Sequence, residues 1–399
     1  MTTSFVSEVL VVLSLGTWIH LLIFRGQFWR VDPPPPVPPG AVPHPPLPPV
    51  CVVVPARNEA EVLPRSLRSL LAQTYVGSLR VILVDDQSDD GTASVARRTA
   101  QELGRSDQLV ICDGSPLPRG WSGKLWAMAQ GVRMAEALQP VPTYILFTDA
   151  DIEHEPASLA ALVARAQAGQ HSLVSLMVRL RCTSLWEKWL IPAFVFFFQM
   201  LYPFRWVNRP TSPTAAAAGG CLLIHRDALE RIGGLASIHG ALIDDCTLAQ
   251  AVKSNDRLVF GEGRLWLGLS DGTISLRPYP DLASIWTMVA RTAFSQLDHS
   301  PWWLLGTVLG MGLIYLMPPA GVAAGLLLGD PTLIVLGLAG WSLMAFAYAP
   351  MLRFYRLSPL RAFALPAIAL LYTLMTIDSA LRHWRGRGGA WKGRTYAAG

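Results

Sequence analysis

Residues Tyr144–Ile152 read YILFTDADI. Tyr144 to Phe147 form a short, unbroken apolar run, the pattern of a strand buried on both faces of a parallel sheet. The run gives way to Thr148-Asp149-Ala150-Asp151. In open α/β sheets the ligand crevice lies outside the carboxyl ends of such strands. Asp149 and Asp151 therefore offer hard oxygens to that crevice, which suits Mg²⁺ or Mn²⁺ completed by substrate phosphates. A plainer reading makes the pair a cap for the helix that follows, with Pro156 in its first turn.

The neighbouring chain favours the site. Val50–Val54 reads as a buried strand, followed by PARNEAE and a helix with Leu63, Leu67, Leu70 and Leu71 on one face. A second strand, Leu79–Val84, ends in Asp85-Asp86 and runs into the turn-rich QSDDGT. Gln108–Cys112 is a third strand, and GWSGK introduces a helix over Lys124–Leu138. A helix from Pro156 and a strand near Leu173–Val178 complete the alternation. Strands alternating with helices predict right-handed βαβ units and a doubly wound, mostly parallel α/β sheet. Two strands ending in paired carboxylates are poorly explained by chance helix caps.

The composition adds a membrane. Charged residues make up only 15% of the 399 residues, and the mean hydropathy is +0.35, too apolar for an ordinary soluble enzyme. The net charge of +5 is modest and gathers beside apolar segments, which fits anionic lipid better than nucleic acid. Five scattered cysteines have neither zinc nor disulfide spacing, and most, lying in apolar runs, read as buried thiols in a reducing compartment.

Residues 1–30 hold an apolar anchor, Phe5–Phe24, with Arg25 and Arg30 after it. That order predicts an uncleaved segment with the chain beyond it in the cytoplasm. Residues 31–49 are a Pro-rich spacer, and 50–300 form the α/β domain. Within it 185–206 is apolar and aromatic but contains Pro192, so an interfacial or re-entrant segment is expected. Residues 301–382 carry three further apolar stretches, and 383–399 a basic, Trp-bearing tail. One anchor and three later crossings would place that tail outside, against the positive-inside tendency. The expectation is that one C-terminal segment does not cross.

Several short motifs stand together: PARNE at 55–59, VDDQSDDGT at 84–92, GK at 123–124, TDAD at 148–151 and IDD at 243–245. Their combination resembles the family 2 glycosyltransferases, inverting enzymes of GT-A fold that use nucleotide sugars. The membrane-embedded members include ceramide glucosyltransferase. LPRGWSGKLWA, AAAAGGC, LIDDCTLA and ARTAFSQL are closer still to the bacterial hopene-associated glycosyltransferases. The resemblance implies a nucleotide-sugar donor, with UDP as its nucleotide, and a lipid acceptor such as a hopanoid, at a bacterial plasma membrane.

It also implies residue roles. Pro55, Arg57, Asn58 and Glu59 would begin the nucleotide pocket, and Asp85 and Asp86 would contact base and ribose. Lys124 would approach the diphosphate. Asp149 and Asp151 would hold the divalent ion, Asp151 more directly. Asp245 matches the catalytic base, with Asp244 beside it. The family's Gln/Arg-x-x-Arg-Trp motif is reduced here to MVARTAF, in which Arg291 survives between Met288 and Thr292. That departure argues against a processive polymer synthase. Two rival expectations share the fold: a polyprenyl-phosphate acceptor, which needs no strong base, and an inactive membrane scaffold. On the residues alone, Lys124 could be a surface lysine and Asp244-Asp245 a helix cap.

Overall fold

The computed structural model describes residues 2–32, 47–386, 390–391 and 394–395. Most of the Pro-rich spacer and most of the basic tail lie outside the described residues. The chain forms two compact units. One is built from Asp32–Arg181, Trp206–Pro278 and Ala390–Gly399, the other from Met1–Val31, Cys182–Arg205 and Tyr279–Gly389. The α/β unit is thus discontinuous. Chain contacts group 182–205 and 279–300 with the apolar helices, whereas composition drew one domain from 50 to 300.

Among the described residues, the main sheet of the α/β unit has eight strands: β1 Val50–Ala56, β2 Leu79–Asp85, β3 Leu109–Asp113, β4 Tyr144–Thr148, β5 Ile152–Glu153, β6 Leu173–Arg179, β7 Cys221–His225 and β8 Leu265–Ser275. They lie in the order β3-β2-β1-β4-β7-β6-β8-β5. Every residue of β4 is buried, as its unbroken apolar run requires. Four pairings are parallel and three, β4–β7, β6–β7 and β5–β8, are antiparallel. The sheet is therefore mixed, with its antiparallel pairings all in the half beyond β4.

Alternation along β1 explains the two-sided core. Val50, Val52 and Val54 face one hydrophobic layer with Leu63, Leu67, Leu70 and Leu71. Cys51 and Val53 face the other, with Leu125, Met128, Leu248 and Val252. Helices thus cover both faces, as side chains of period two demand.

The reversed strand β7 matters most for position. Because it runs antiparallel to β4, its first residue Cys221 pairs with Thr148, the last of β4. The small-residue stretch before β7 and the Asp-x-Asp after β4 consequently meet at one rim. Thr148 Oγ donates to Gly220 O at 2.8 Å and sits 2.9 Å from His154 Nε2. Burial pushes His154 down to about 4, so the neutral ring donates to Thr148 and locks this corner.

Among the described residues, five helical stretches, Val6–Phe24, Leu185–Val207, Pro301–Leu328, Pro331–Phe354 and Pro359–Trp384, are long and apolar enough to cross a membrane, and all but the end of the second lie in the helical unit. The second contains Pro192 within an unbroken helix, Leu185–Leu201. Proline removes the N–H that would serve Lys188 O; Arg361 Nη1 approaches that carbonyl at 3.4 Å instead. Pro301–Leu328 includes a π-helical turn, Gly312–Leu316. Its Ile314 carbonyl accepts from Trp18 Nε1 at 2.8 Å. Glycines allow close helix approach: a Cβ at Gly337 would lie 2.7 Å from Pro318 O.

Candidate active site

The loop after β1 and the loop after β2 are stitched together. Asn58 takes the left-handed conformation, φ 53°, that asparagine tolerates better than most residues. Its N–H donates to Ser88 Oγ at 3.0 Å, and its Oδ1 accepts from Asp89 N at 3.0 Å. Ala60 N and Thr92 N both donate to Asp90, and Glu59 N donates to Thr92 Oγ at 3.0 Å. Arg57 Nη1 reaches Asp86 O at 2.5 Å and the buried Asp86 carboxylate at 3.7 Å. Asp85 Oδ1 accepts from Ser88 N at 3.0 Å. The PARNE and DDQSDDGT motifs thus form one rigid wall.

The centre of the rim is a lysine among carboxylates. Ser122 caps the helix Gly123–Glu136, accepting from Leu125 N, so Lys124 lies in its first turn. Lys124 Nζ is 2.9 Å from Asp149 Oδ1 and 3.3 Å from Asp244 Oδ2. Burial opposes its charge, but Asp149, Asp244 and Asp245 outweigh that cost and raise its pKa. Asp244 and Asp245 open the helix Asp244–Phe260. Asp245 Oδ2 accepts from Gly219 N and Oδ1 from Cys246 N, both at 2.8 Å. Burial first, then Asp244, pushes Asp245 up to about 6, against the pull of Lys124 and the two N–H donors.

Gly219 explains the run of small residues. A Cβ there would lie 3.1 Å from Lys124 Nζ and 3.3 Å from Asp245 Oδ2. Any side chain would press on the cluster. Pro55, Phe147 and Thr148 line the same small cavity as Lys124, Asp149, Asp244 and Asp245.

A second group lies at Asp151, which is buried at 5% exposure. Arg277, two residues beyond β8, donates from Nε to Asp151 Oδ2 and from Nη2 to Glu59 Oε1, each at 2.7 Å. Burial raises the Asp151 pKa; Arg277 opposes this, while Asp149 and Glu59 add to it. Sequence reasoning missed Arg277. Its strand was unread because LWLGLSDGTIS contains Gly268 and a turn-like Asp271-Gly272.

Of the residues expected at the site, the structure gathers Pro55, Lys124, Asp149, Asp244 and Asp245 in one cluster. Glu59 and Asp151 meet through Arg277, and Arg57 meets Asp86. Arg291 caps the helix Leu282–Ala290, which belongs to the helical unit.

The donor set bears on the expected metal. Among the described residues there is no group of three His, Cys, Asp or Glu side chains placed to hold an ion. Asp149 and Asp151 are two hard-oxygen donors, each now facing a cationic side chain. That fits a divalent ion whose remaining positions come from a diphosphate and water.

The sheet order, with carboxylates at the carboxyl ends of its central strands, is a GT-A architecture. The mannosyltransferase PcManGT from Pyrobaculum calidifontis, solved with GDP-Man and Mn²⁺, shares the fold at a TM-score of 0.53 and 19% identity, covering 95% of this chain and 99% of that one. Glucosyl-3-phosphoglycerate synthase from Mycobacterium tuberculosis, solved with Mg²⁺ and UDP, aligns at a TM-score of 0.41 and 16% identity, over 67% of this chain and 85% of that one.

Residues 51–233 match the family model "Glycosyl transferase family 2", and this stretch is a domain of that family. Asp244, Asp245 and Arg277 lie beyond it. The 4,4'-diaponeurosporenoate glycosyltransferase of Staphylococcus haemolyticus is 35% identical over 131 residues, which span 32% of this chain and 31% of that protein's length.

Proposed function

We propose that the protein is an inverting glycosyltransferase that moves a sugar from a nucleotide-diphosphate sugar, with UDP as the nucleotide, to the hydroxyl of a membrane lipid. The observation that carries this reading is Asp245. Its carboxylate is held by two backbone N–H groups beside the cationic Lys124, on the rim where the Asp-x-Asp lies. An acceptor hydroxyl must lose a proton as its oxygen attacks the anomeric carbon. The new C–O bond forms as the bond to the diphosphate breaks on the opposite face, the proton passes to Asp245, and the nucleoside diphosphate leaves.

The leaving group develops concentrated negative charge. Lys124, kept protonated by its three carboxylates, is placed to meet it. Mg²⁺ or Mn²⁺ held by Asp149 and Asp151 would supply further Lewis-acid stabilisation of that diphosphate. Arg277, which donates to Asp151 and Glu59, would hold Asp151 in place beside such an ion. The fixed wall of Arg57, Asn58, Asp85 and Asp86 binds the nucleoside end.

Support for a lipid acceptor comes from the long apolar helices and from the name of the diaponeurosporenoate relative. The motif wording makes a hopanoid the first acceptor to test. In this reading the α/β unit faces the cytoplasm of a bacterial plasma membrane, where nucleotide sugars are made. The test uses the full chain in lipid nanodiscs, offered several nucleotide sugars with hopanoid, carotenoid and polyprenyl-phosphate acceptors. Glycosylation of a hydroxyl lipid that stops with EDTA and returns with Mn²⁺ is the expected result. Transfer only to polyprenyl phosphate, untouched by Asp245→Asn, would overturn the hydroxyl assignment. Full activity in EDTA would overturn the metal's role.

A further inference from the structure

The far end of the sheet carries a second cavity that the reaction above does not use. β4 begins at Tyr144 and β7 ends at His225, and these two residues pair across the ladder. β6 and β8 run parallel to each other and start beside them, directly after Ser172 and Arg264. The five residues of β4 separate this end from the Asp-x-Asp rim by about 17 Å. A cavity of about 480 Å³ opens there, lined by Tyr144, Gln167, His171, His225, Arg231 and Arg264 among others. That size falls within the usual range for small-ligand sites.

Its chemistry is one-sided. The lining carries two guanidinium groups and two imidazoles and, among the described residues, no carboxylate. Arg231 is balanced by the buried Asp256 at 3.2 Å. Arg264 is not balanced in this way. Its nearest recorded carboxylate, Glu262, stands 4.0 Å from Nε, too far for a hydrogen bond. Arg264 stacks over the Phe260 ring at 3.8 Å, and Arg231 lies 5.2 Å from the same ring. That shared ring holds the two cations together. Arg264 Nε and His171 Nδ1 are buried without a hydrogen-bond partner. Buried donors left unmade are costly, and native structures seldom keep them without a ligand or water.

We propose that this cavity binds a phosphate-ester anion, with Arg264 Nε and His171 Nδ1 donating to its oxygens and Arg231 completing the cationic wall. The inference does not depend on the transferase reading, because it uses none of the rim residues. A soluble phosphate and a phospholipid headgroup share this chemistry, and the experiment separates them.

The full chain is purified in dodecyl maltoside micelles, which carry no phosphate, and binding of radiolabelled glycerol phosphate is followed by equilibrium dialysis. Saturating unlabelled UDP blocks the rim. The wild type should bind one equivalent. Arg264→Gln should weaken binding roughly 10-fold or more, since a charge-assisted hydrogen bond is worth about 1.5–3 kcal/mol. Gln167→Glu, an exposed change that spares the core, should weaken it at least as much by repulsion. Far-ultraviolet circular dichroism and Tm confirm that both variants fold. No saturable binding by the wild type, or equal binding by wild type and both variants, would overturn the proposal. Repeating the titration in phosphatidylglycerol nanodiscs identifies the source: lost capacity supports a lipid headgroup, and retained capacity supports a soluble phosphate.

Discussion

Replacing Asp245 with asparagine keeps the size of the side chain and removes its capacity to take a proton. The structure separates the two consequences. Asp245 accepts from Gly219 N and Cys246 N. Asparagine has one acceptor oxygen and can keep only one of those bonds. Cys246 N–H lies in a helix's first turn, where such groups can turn to water. The structural cost should therefore be that of one hydrogen bond, about 1 kcal/mol. Loss of a positioned base costs roughly 10²–10⁴-fold in turnover, or about 3–5 kcal/mol in the barrier. The catalytic effect should exceed the structural one severalfold. The assay is the initial rate of lipid product at saturating donor, paired with calorimetric titration of the nucleoside diphosphate. Donor binding should survive, because Lys124, Asp149 and Asp151 remain. Asp244→Asn should cost less, since Asp244 pairs with Lys124 and takes no backbone N–H in the recorded contacts. Normal turnover by Asp245→Asn beside a dead Asp244→Asn would reverse the assignment within the pair.

The pH dependence follows from the same carboxylate. Asp245 is pushed up to about 6 in the fold, and only its ionised form accepts a proton. The kcat/KM profile should therefore rise with an acid limb near pH 6. Arg277→Gln removes the guanidinium that bridges Asp151 and Glu59 and should lower stability by about 1–3 kcal/mol. Because Asp151 already has a raised pKa, its folded form takes up a proton more readily than the unfolded chain. The loss should shrink as pH falls through the Asp151 titration, which Tm measured against pH will show. Lys253, buried at 1%, donates to Val207 O at 2.6 Å and Thr214 O at 2.7 Å. Lys253→Met should lower thermal stability by about 3 kcal/mol without changing nucleoside diphosphate affinity.

The first half of the sheet was legible because its signals are local. β1, β2 and β4 are short apolar runs that stop at polar loops, and their carboxylates fall at the ends by connectivity alone. β7 was harder. AAAAGGCLL ends in a short apolar run, yet nothing in it states that the strand runs backwards beside β4. That pairing is non-local, and it is what brings Gly219 to Lys124 and Asp245. Arg277 stayed hidden for a related reason: β8 is interrupted by turn-forming residues and joins β6 through a register shift between Met177 and Arg179. Arg291 was carried over from a degraded motif, and it falls in the helical unit. Pro192 looked like a break in the chain, but the structure continues the helix through it.

The helix Leu185–Leu201 sits in the chain between β6 and β7, and those two strands are hydrogen-bonded neighbours. A single passage through a bilayer would leave them in different compartments, where no ladder can form. If the protein sits in a bilayer, this helix, though long enough to cross, would have to enter and leave on one face. The strand order sets the condition: β7 can take its place between β4 and β6 only when the segment carrying Leu185–Leu201 ends on the side where it began.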